Sequence, residues 1–420
     1  MSTIPHADLV DEPAFAQQLL DAYNNQTSFF FASPRQTMLG RGIREVLPAS
    51  DEARDRRHLA DQVNTLFERD RSAGMPPSPV VGAIPFDDTA AVRLFIPRDI
   101  LQTGPLRFGD GAAPVEAAMN AQCGLRMVPE PAGYMNGVEQ ALQRIRSEEF
   151  LKVVLSRSLE LSFHDHIDLR QLLRKLARHN QHGYTYAVDI TAAQGLDKDV
   201  QAPLLETAPH RLIGASPELL VRRSGMEVIA NPLAGSVPRC GDAGIERQRA
   251  EALLRSDKDR HEHAVVVDAV AEALRPYCSQ LDVPAAPSIV HTDSMMHLST
   301  QVRGVLDDPA TCALTLAQAL HPTPAVCGFP AACAHAAIRS IEPFERRYFT
   351  GMVGWVDARG DGEWAVTIRC AEAQGCRLRL YAGAGVVAGS TAAQELAETS
   401  AKFRTMLNAM GLDPQLEVAS

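Results

Sequence analysis

The stretch LKVVLSRSLELSF, residues 151–163, constrains the fold more than any other part of the chain. Val153, Leu155, Leu159, Leu161 and Phe163 fall on one side of an extended segment, and Lys152, Ser156, Ser158 and Glu160 on the other. A period of two fits a strand and not a helix, because successive strand side chains point to opposite faces. The pattern predicts one buried face and one polar face. RLIGASPELLVRR and MEVIANPLAGSVPR read as a strand pair around Ser224–Gly225, and GEWAVTIRCA and CRLRLYAGAGVV as another around Gln374–Gly375. VVGAIPF and AVRLFIP add two strands nearer the start. Helices are expected from Val138, over about Ile245–Leu274 and over about Ala392–Leu407, with a charged, exposed helical stretch at Asp51–Ser72. Strands joined by hairpins, with helices kept apart from them, predict an α+β protein with antiparallel sheets. Gly383–Gly385 is not a dinucleotide fingerprint, since G-x-G-x-x-G fails at Ala388.

At 420 residues, 45% hydrophobic and 22% charged, the chain can bury a sizeable core as one large domain or two ordinary ones. Forty-one basic against 51 acidic residues give a formal net charge of −10. That argues against a nucleic-acid partner, which requires an excess of Lys and Arg to neutralise phosphates. It leaves an anionic small molecule open, because local charge decides that. The start MSTIPHADLVDEPAF has no basic segment followed by an apolar one, and no run approaches the roughly 18 apolar residues of a membrane span. A cytoplasmic protein without a membrane partner is expected. The eight cysteines include no C-x-x-C pair, which predicts free thiols. Residues 109–133 are rich in Ala, Gly and Pro and read as a connection between lobes, separating a part over 1–130 from a domain over 135–415.

Four constellations could carry chemistry. Asp259 and Glu262 are three apart on one predicted helix, and Glu395 and Glu398 on another, with Lys402 continuing the second face at i+4. Facing carboxylate pairs repel unless a cation sits between them, and Mg²⁺ suits oxygen donors. Two solvated acidic helix faces would show the same spacing. Lys152 is either surface decoration or a general base whose environment lowers its pKa. Glu218, after the Ser-Pro turn of GASPELL, is either a strand-start residue or a partly dry general acid. Arg369, the glycines Gly383 and Gly385, the Ala234–Gly235–Ser236 turn and Lys402 could together receive carboxylates; a structural sheet arginine fits Arg369 as well. The thirteen histidines show no metal-binding spacing, and His261, His263, His297 and His321 each fit a structural role too.

Taken in order, KVVLSRSLEL, GASPELL, NPLAGSVPR, SDKDRHEH, HLSTQVRG, HPTPAVCGFP, IEPFERRYFTGMVGW, GEWAVTIRCA, LRLYAGAGVV and ELAETSAKFRTML resemble the chorismate-utilising enzymes. Within them the sequence looks most like the isochorismate synthases of catecholate siderophore biosynthesis, the enterobactin or 2,3-dihydroxybenzoate type. The resemblance covers about Leu151–Leu412, and residues 1–130 match loosely. It implies two lobes with large antiparallel sheets packed face to face, helices outside, and a Mg²⁺ site within the 135–415 domain. It further implies Lys152 as the base that activates water and Glu218 as the acid that protonates the departing hydroxyl. Glu262 and Glu398 would bind Mg²⁺ directly, and Asp259 and Glu395 through water. Arg369, Gly383, Gly385 and Lys402 would surround substrate carboxylates, Ala234, Gly235 and Ser236 would cover the ring carboxylate, and His297 would line the ring pocket. Ser236 stands where many relatives carry threonine, which keeps the hydroxyl. The interval from Lys152 to Glu218 is longer than usual, and the extra residues, TAAQGLDKDVQAPLLETAPH, read as a surface loop.

The implied reaction adds water at C2 of chorismate as the C4 hydroxyl leaves, so base and acid need pKa values pushed in opposite directions. Rival activities are a salicylate synthase, which goes on to eliminate pyruvate, and anthranilate or aminodeoxychorismate synthases, which use ammonia from a glutaminase partner. The aminodeoxychorismate type commonly carries lysine at the position of Ala234, and both ammonia users usually show threonine near Ala325. Alanine at both positions favours water, and no glutaminase subunit is expected. Salicylate synthases more often carry tyrosine where Phe349 stands. A non-enzymatic binding protein would have little use for Lys152, Glu218 and all four carboxylates together. A monomer acting on chorismate and isochorismate is expected.

Overall fold

In the computed structural model, residues 12–47, 58–109, 123–191 and 208–412 are described. Seventeen strands join one large sheet, three form a second, and every pairing among the described residues is antiparallel. Its longest pairing joins Lys152–Phe163 to Arg377–Val387, from Arg377 opposite Ser162 to Val387 opposite Lys152. From there the sheet continues through Cys370–Gln374, His210–Ser216, Tyr184–Asp189 and Thr27–Ala32. Beyond Thr37–Val46, Arg93–Thr103 and Val80–Ile84 it turns into Met352–Val356, Gly362–Val366 and Leu219–Ser224.

The sheet folds back on itself. Phe29, Phe31, Tyr186, Leu212 and Cys370 from the first half share one core with Val81, Val353, Ala365 and Leu219 from the second. Helices Glu12–Asp21, Leu169–Arg178 and Ala392–Met410 cover the first half on its outer side. Helices Leu59–Ser72, Asp257–Leu274 and Ala313–Leu320 cover the second. The expected face-to-face antiparallel sheets with helices outside are therefore found. No described helix is long and apolar enough to cross a membrane. All eight cysteines are free thiols.

Several local expectations are corrected. The 152–163 strand has no solvated polar face: Lys152, Ser156 and Ser158 are buried as fully as Val153 and Leu155. Both faces are covered, one by helices Pro131–Arg146 and Ala331–Ile341, the other by the inside of the molecule. The helix expected over Ile245–Leu274 is two, Ala243–Arg255 and Asp257–Leu274. The break falls at Ser256, which adopts extended backbone and accepts the Asp259 N–H with its side chain, an N-cap. MEVIANPLAGSVPR holds two strands in different sheets, since Leu233–Pro238 leaves Glu227–Asn231 to pair with Met295–Ser299. GEWAVTIRCA likewise splits into Gly362–Val366 and Cys370–Gln374, and only the second pairs with Arg377–Val387. The 51–72 stretch is described from residue 58, and its helix is not merely exposed: Val63, Leu66 and Phe67 are buried. Most of the 191–210 insertion, residues 192–207, and residues 110–122 of the lobe connection lie outside the described residues.

Candidate active site

The fold-back decides where the site lies. Strand His210–Ser216 pairs with Cys370–Gln374 in one half, and Leu219–Ser224 pairs with Gly362–Val366 in the other. The two short links between these strands therefore cross between halves side by side. Glu218 sits on one link and Arg369 on the other, cross-tied by Val366 N–H to Glu218 O at 3.2 Å and Ala215 N–H to Arg369 O at 3.0 Å. Arg369 has φ of 51° and Thr350, on a neighbouring loop, φ of 59°. Left-handed backbone is costly for residues with a Cβ, and such strain gathers at functional sites.

A cavity opens at this crossing. It is lined by the expected Glu218, Ala234, Gly235, Ser236, Glu262, His297, Ala325, Phe349, Arg369, Gly383, Gly385, Glu398 and Lys402. Lys152 stands directly behind Glu262, with its Nζ 2.9 Å from Glu262 Oε1. Asp259 and Glu395 form an outer ring: Asp259 packs against Gly235, and Glu395 accepts from Lys258 Nζ at 3.0 Å. At 385 a Cβ would stand 2.3 Å from Glu262 Oε1 and 3.1 Å from Lys152 Cε, so any side chain there would displace the Glu262 carboxylate. Phe349 stacks on Tyr381, with ring centroids 5.0 Å apart.

Burial dominates the electrostatics. It pushes the Glu218 carboxyl up to about 7, against the lowering pull of the Leu233 N–H and the cations Lys152, Arg369 and Lys402. Burial lowers His297 well below its ordinary value, helped by Arg369 and Lys402, so this imidazole is neutral. Burial also lowers Arg369 to about 10. Burial opposes ionisation of Glu398, yet Lys402 at 2.6 Å and the Ser236 hydroxyl at 2.9 Å bring its carboxyl below the usual value. Burial and the Glu398 charge raise Glu395, with Lys258 opposing. Burial also raises Asp259, with Glu262 and Glu398 adding to the effect. The carboxylates thus repel one another and are held by Lys152, Lys258 and Lys402.

Among the described residues, no three His, Cys, Asp or Glu side chains converge into a ready-made metal cluster. The donor set still fits Mg²⁺, which takes one or two protein carboxylates, waters and a substrate oxyanion, not a full protein cage. Glu262 and Glu398 both face the cavity, and the donors are all oxygen.

The chain matches the family model for chorismate binding enzymes over residues 111–411. The chain belongs to the chorismate-binding enzymes. It is 51% identical over 399 residues to the isochorismate synthase DhbC of Bacillus subtilis, covering 95% of this chain and 97% of that one. It is 41% identical over 408 residues to the vibriobactin-specific isochorismate synthase of Vibrio cholerae, covering 97% of each. The crystal structure of DhbC from Bacillus anthracis superposes with a TM-score of 0.86 at 48% identity, over 95% of this chain and 100% of that one. Anthranilate synthase component I from Streptococcus pneumoniae shares the fold, with a TM-score of 0.68 at 20% identity over 97% of this chain and 99% of that one.

Two features of this chorismate-binding enzyme's site escape sequence reasoning. Lys258 neutralises Glu395; it lies inside SDKDRHEH but carries no spacing signal of its own. Arg346 is fully buried and donates to Val326 O at 2.8 Å and Val154 O at 2.7 Å. Glu342, paired with it at 2.6 Å, accepts the Ser156 N–H at 2.8 Å. This one pair ties the strand that carries Lys152 to the wall formed by Ala325 and Val326. In IEPFERRYFT it reads as one more surface charge.

Proposed function

We infer that the protein is an isochorismate synthase that adds water at C2 of chorismate while the C4 hydroxyl departs. The observation that carries this is Glu218, fully buried with its carboxyl pushed up to about 7, in the same enclosure as the Lys152 amine. A carboxyl titrating there is protonated for a useful fraction of the time at neutral pH and can hand its proton to the leaving hydroxyl. Lys152 takes the proton from the attacking water. To accept that proton Lys152 must be the neutral amine, because an ammonium has no lone pair to offer. Arg369, Lys402, Gly383 and Gly385 receive the substrate carboxylates, the Ala234–Ser236 turn covers the ring carboxylate, and neutral His297 lines the ring pocket without adding charge.

Glu262 and Glu398 are the residues to hold Mg²⁺ directly, and Asp259 and Glu395 through water. Bound there, the ion supplies Lewis acidity at the ring carboxylate. Changing Glu262 or Glu398 to Ala should weaken Mg²⁺ binding far more than changing Asp259 or Glu395, read by calorimetric titration in the presence of chorismate. Equal losses at all four positions would mean a diffuse acidic pocket instead of a ranked shell.

Product identity tests the function itself. With chorismate and Mg²⁺ near neutral pH, chromatography should show a chorismate–isochorismate mixture approached from either side, and EDTA should stop it. Pyruvate, followed by coupled lactate dehydrogenase, should stay at the level of spontaneous breakdown. Phe349 offers no hydroxyl to hold isochorismate for a second step, and the nearby wall is small and apolar: Ala325, Val326 and Cys327. Stoichiometric pyruvate and fluorescent salicylate would establish a salicylate synthase instead. Similarity to DhbC and to the vibriobactin-specific enzyme supports a place in catecholate siderophore biosynthesis. We further propose a cytoplasmic monomer that uses water without a glutaminase subunit. Residues 1–130 serve to complete the sheet of the 135–415 catalytic domain, a reading supported by the pairings of Thr27–Ala32 with Tyr184–Asp189 and of Val80–Ile84 with Met352–Val356.

A further inference from the structure

The last helix, Ala392–Met410, brings Glu398 and Lys402 to the cavity, yet no strand ladder fixes where they stand. Strand Arg377–Val387 pairs with Cys370–Gln374 on one side, and that pairing ends at Leu380. Beyond it, Gly383 and Gly385 pair with Lys152–Phe163 alone among the described residues. The Lys402 amine, 2.8 Å from Gly383 O, stands where a further strand would be. The second half of the helix is sunk in a core through Phe403, Met406, Leu407 and Met410. The first half, which carries Glu395 and Glu398, adds the partly buried Ala392 and Leu396 to another.

Arg157 supplies the missing tie. It lies on the strand that carries Lys152, opposite Ala382, and is 1% exposed. Its Nε donates to Thr399 Oγ1 at 3.0 Å and its Nη2 to Ser400 Oγ at 2.7 Å. These are the two residues that follow Glu398. The guanidinium also lies 5.6 Å from the ring centroid of Tyr134, on helix Pro131–Arg146, and 5.4 Å from that of Phe403, one turn on from Thr399. The Tyr134 hydroxyl in turn donates to Leu155 O at 3.2 Å, on the Arg157 strand. One cation thus joins a strand and two helices.

The helix sequence fits this reading. Thr and Ser side by side in mid-helix are locally poor choices, because their hydroxyls compete for backbone carbonyls. Both hydroxyls do donate to Leu396 O, at 2.8 and 3.0 Å, which leaves their lone pairs to Arg157. Two neighbouring acceptors match the fixed fork of a guanidinium and not the single point of an ammonium. Arg157 does not line the cavity, so it acts through the helix. A slide of that helix by the rise of one residue, ~1.5 Å, would carry Glu398 away from the Ser236 hydroxyl, now at 2.9 Å.

We propose that Arg157 is a positioning residue for the metal site. By fixing the last helix against the Lys152 strand it holds Glu398 in place for Mg²⁺ together with Glu262. This rests on the reading that these two glutamates hold the ion.

Loss of a group that orients metal ligands typically costs about tenfold to 100-fold in affinity. Arg157→Met should therefore weaken Mg²⁺ binding by about tenfold, read by calorimetric titration in the presence of chorismate. The rate lost at limiting Mg²⁺ should largely return at excess Mg²⁺. Arg157→Lys and Thr399→Val, which each give up part of the fork, should weaken binding by about threefold. Arg223→Met is the control for lost packing. Arg223 is 5% exposed and donates to the carbonyls of Gly225, Arg359 and Pro309, away from the cavity. Its loss should lower the melting temperature and leave Mg²⁺ affinity unchanged. If Arg157→Met does not fold, Arg157→Lys and Thr399→Val carry the comparison. Wild-type Mg²⁺ affinity in the folded Arg157 variants, or an equal loss in Arg223→Met, would overturn the positioning role. Wild-type affinity in Glu398→Ala would instead overturn the metal assignment on which it rests.

Discussion

Lys152→Ala is expected to lower kcat by at least about 1000-fold, the scale of losing a positioned base together with the geometry it sets. The side chain is completely buried and its amine touches Glu262 at 2.9 Å. Truncation thus also leaves Glu262 without its cation in a largely desolvated place, a defect that can cost about 3 kcal/mol. The loss of rate must be separated from that instability. Lys152→Met keeps the volume and should be equally inactive, with a melting temperature measured beside it. Lys152→Arg should not rescue, because a guanidinium does not give up its proton at neutral pH. A kcat near wild type in any of these variants would remove Lys152 from the reaction.

Glu218→Gln should reduce kcat by a factor of about 100 to 10,000 while KM changes little, since the proton is delivered only as the hydroxyl leaves. The carboxyl, pushed up by burial to about 7, also fixes the sign of two pH effects. Activity needs the protonated form, so the Glu218 limb of the kcat profile should fall as pH rises through about 7. Stability moves the same way. The folded state holds this proton more tightly than the unfolded chain, so the contribution is complete below the ordinary glutamate value and is lost as pH rises through about 7. Glutamine cannot ionise. At pH 8 Glu218→Gln should therefore be the more stable protein, by up to about 3 kcal/mol, while being far less active. A variant that is both inactive and less stable at pH 8 would show that the buried carboxyl holds the fold together and is no poised acid.

The sequence reveals the elements better than it reveals their surroundings. Alternation finds the strand Lys152–Phe163, but alternation reports polarity and not exposure. Lys152, Ser156 and Ser158 read as a wet face, yet they point into the molecule and are buried, Lys152 against Glu262 of helix Asp257–Leu274. The links Ser216–Leu219 and Val366–Cys370 explain a second misreading. Each joins two short strands that look continuous in sequence, and only the pairing partners, far away along the chain, show that the backbone has changed halves. The carboxylates at 259, 262, 395 and 398 were legible as helix faces by their spacing. Nothing local said that the two faces meet, nor that Lys258 and Lys402 would sit between them and their like charges. Arg346 was invisible because charge next to charge in IEPFERRYF reads as solvent-facing, and its value lies in carbonyls at 154 and 326.

The pairing of Lys152–Phe163 with Arg377–Val387 has a bearing on how the molecule comes into being on the ribosome. Lys152 faces Val387, on a strand made more than two hundred residues later, and Glu262 lies under Gly385 of that same strand. Contacts of such long separation form late and slowly, because the intervening loop must be closed before they repay its entropy. A nascent chain in which Lys152, Glu218 and Glu262 are made but the last strand is not has no enclosure to dry the acid. It also lacks Glu398 on the last helix to complete the carboxylate set. The dry enclosure around the acid and the carboxylate set are complete only once this late strand and the last helix are in place.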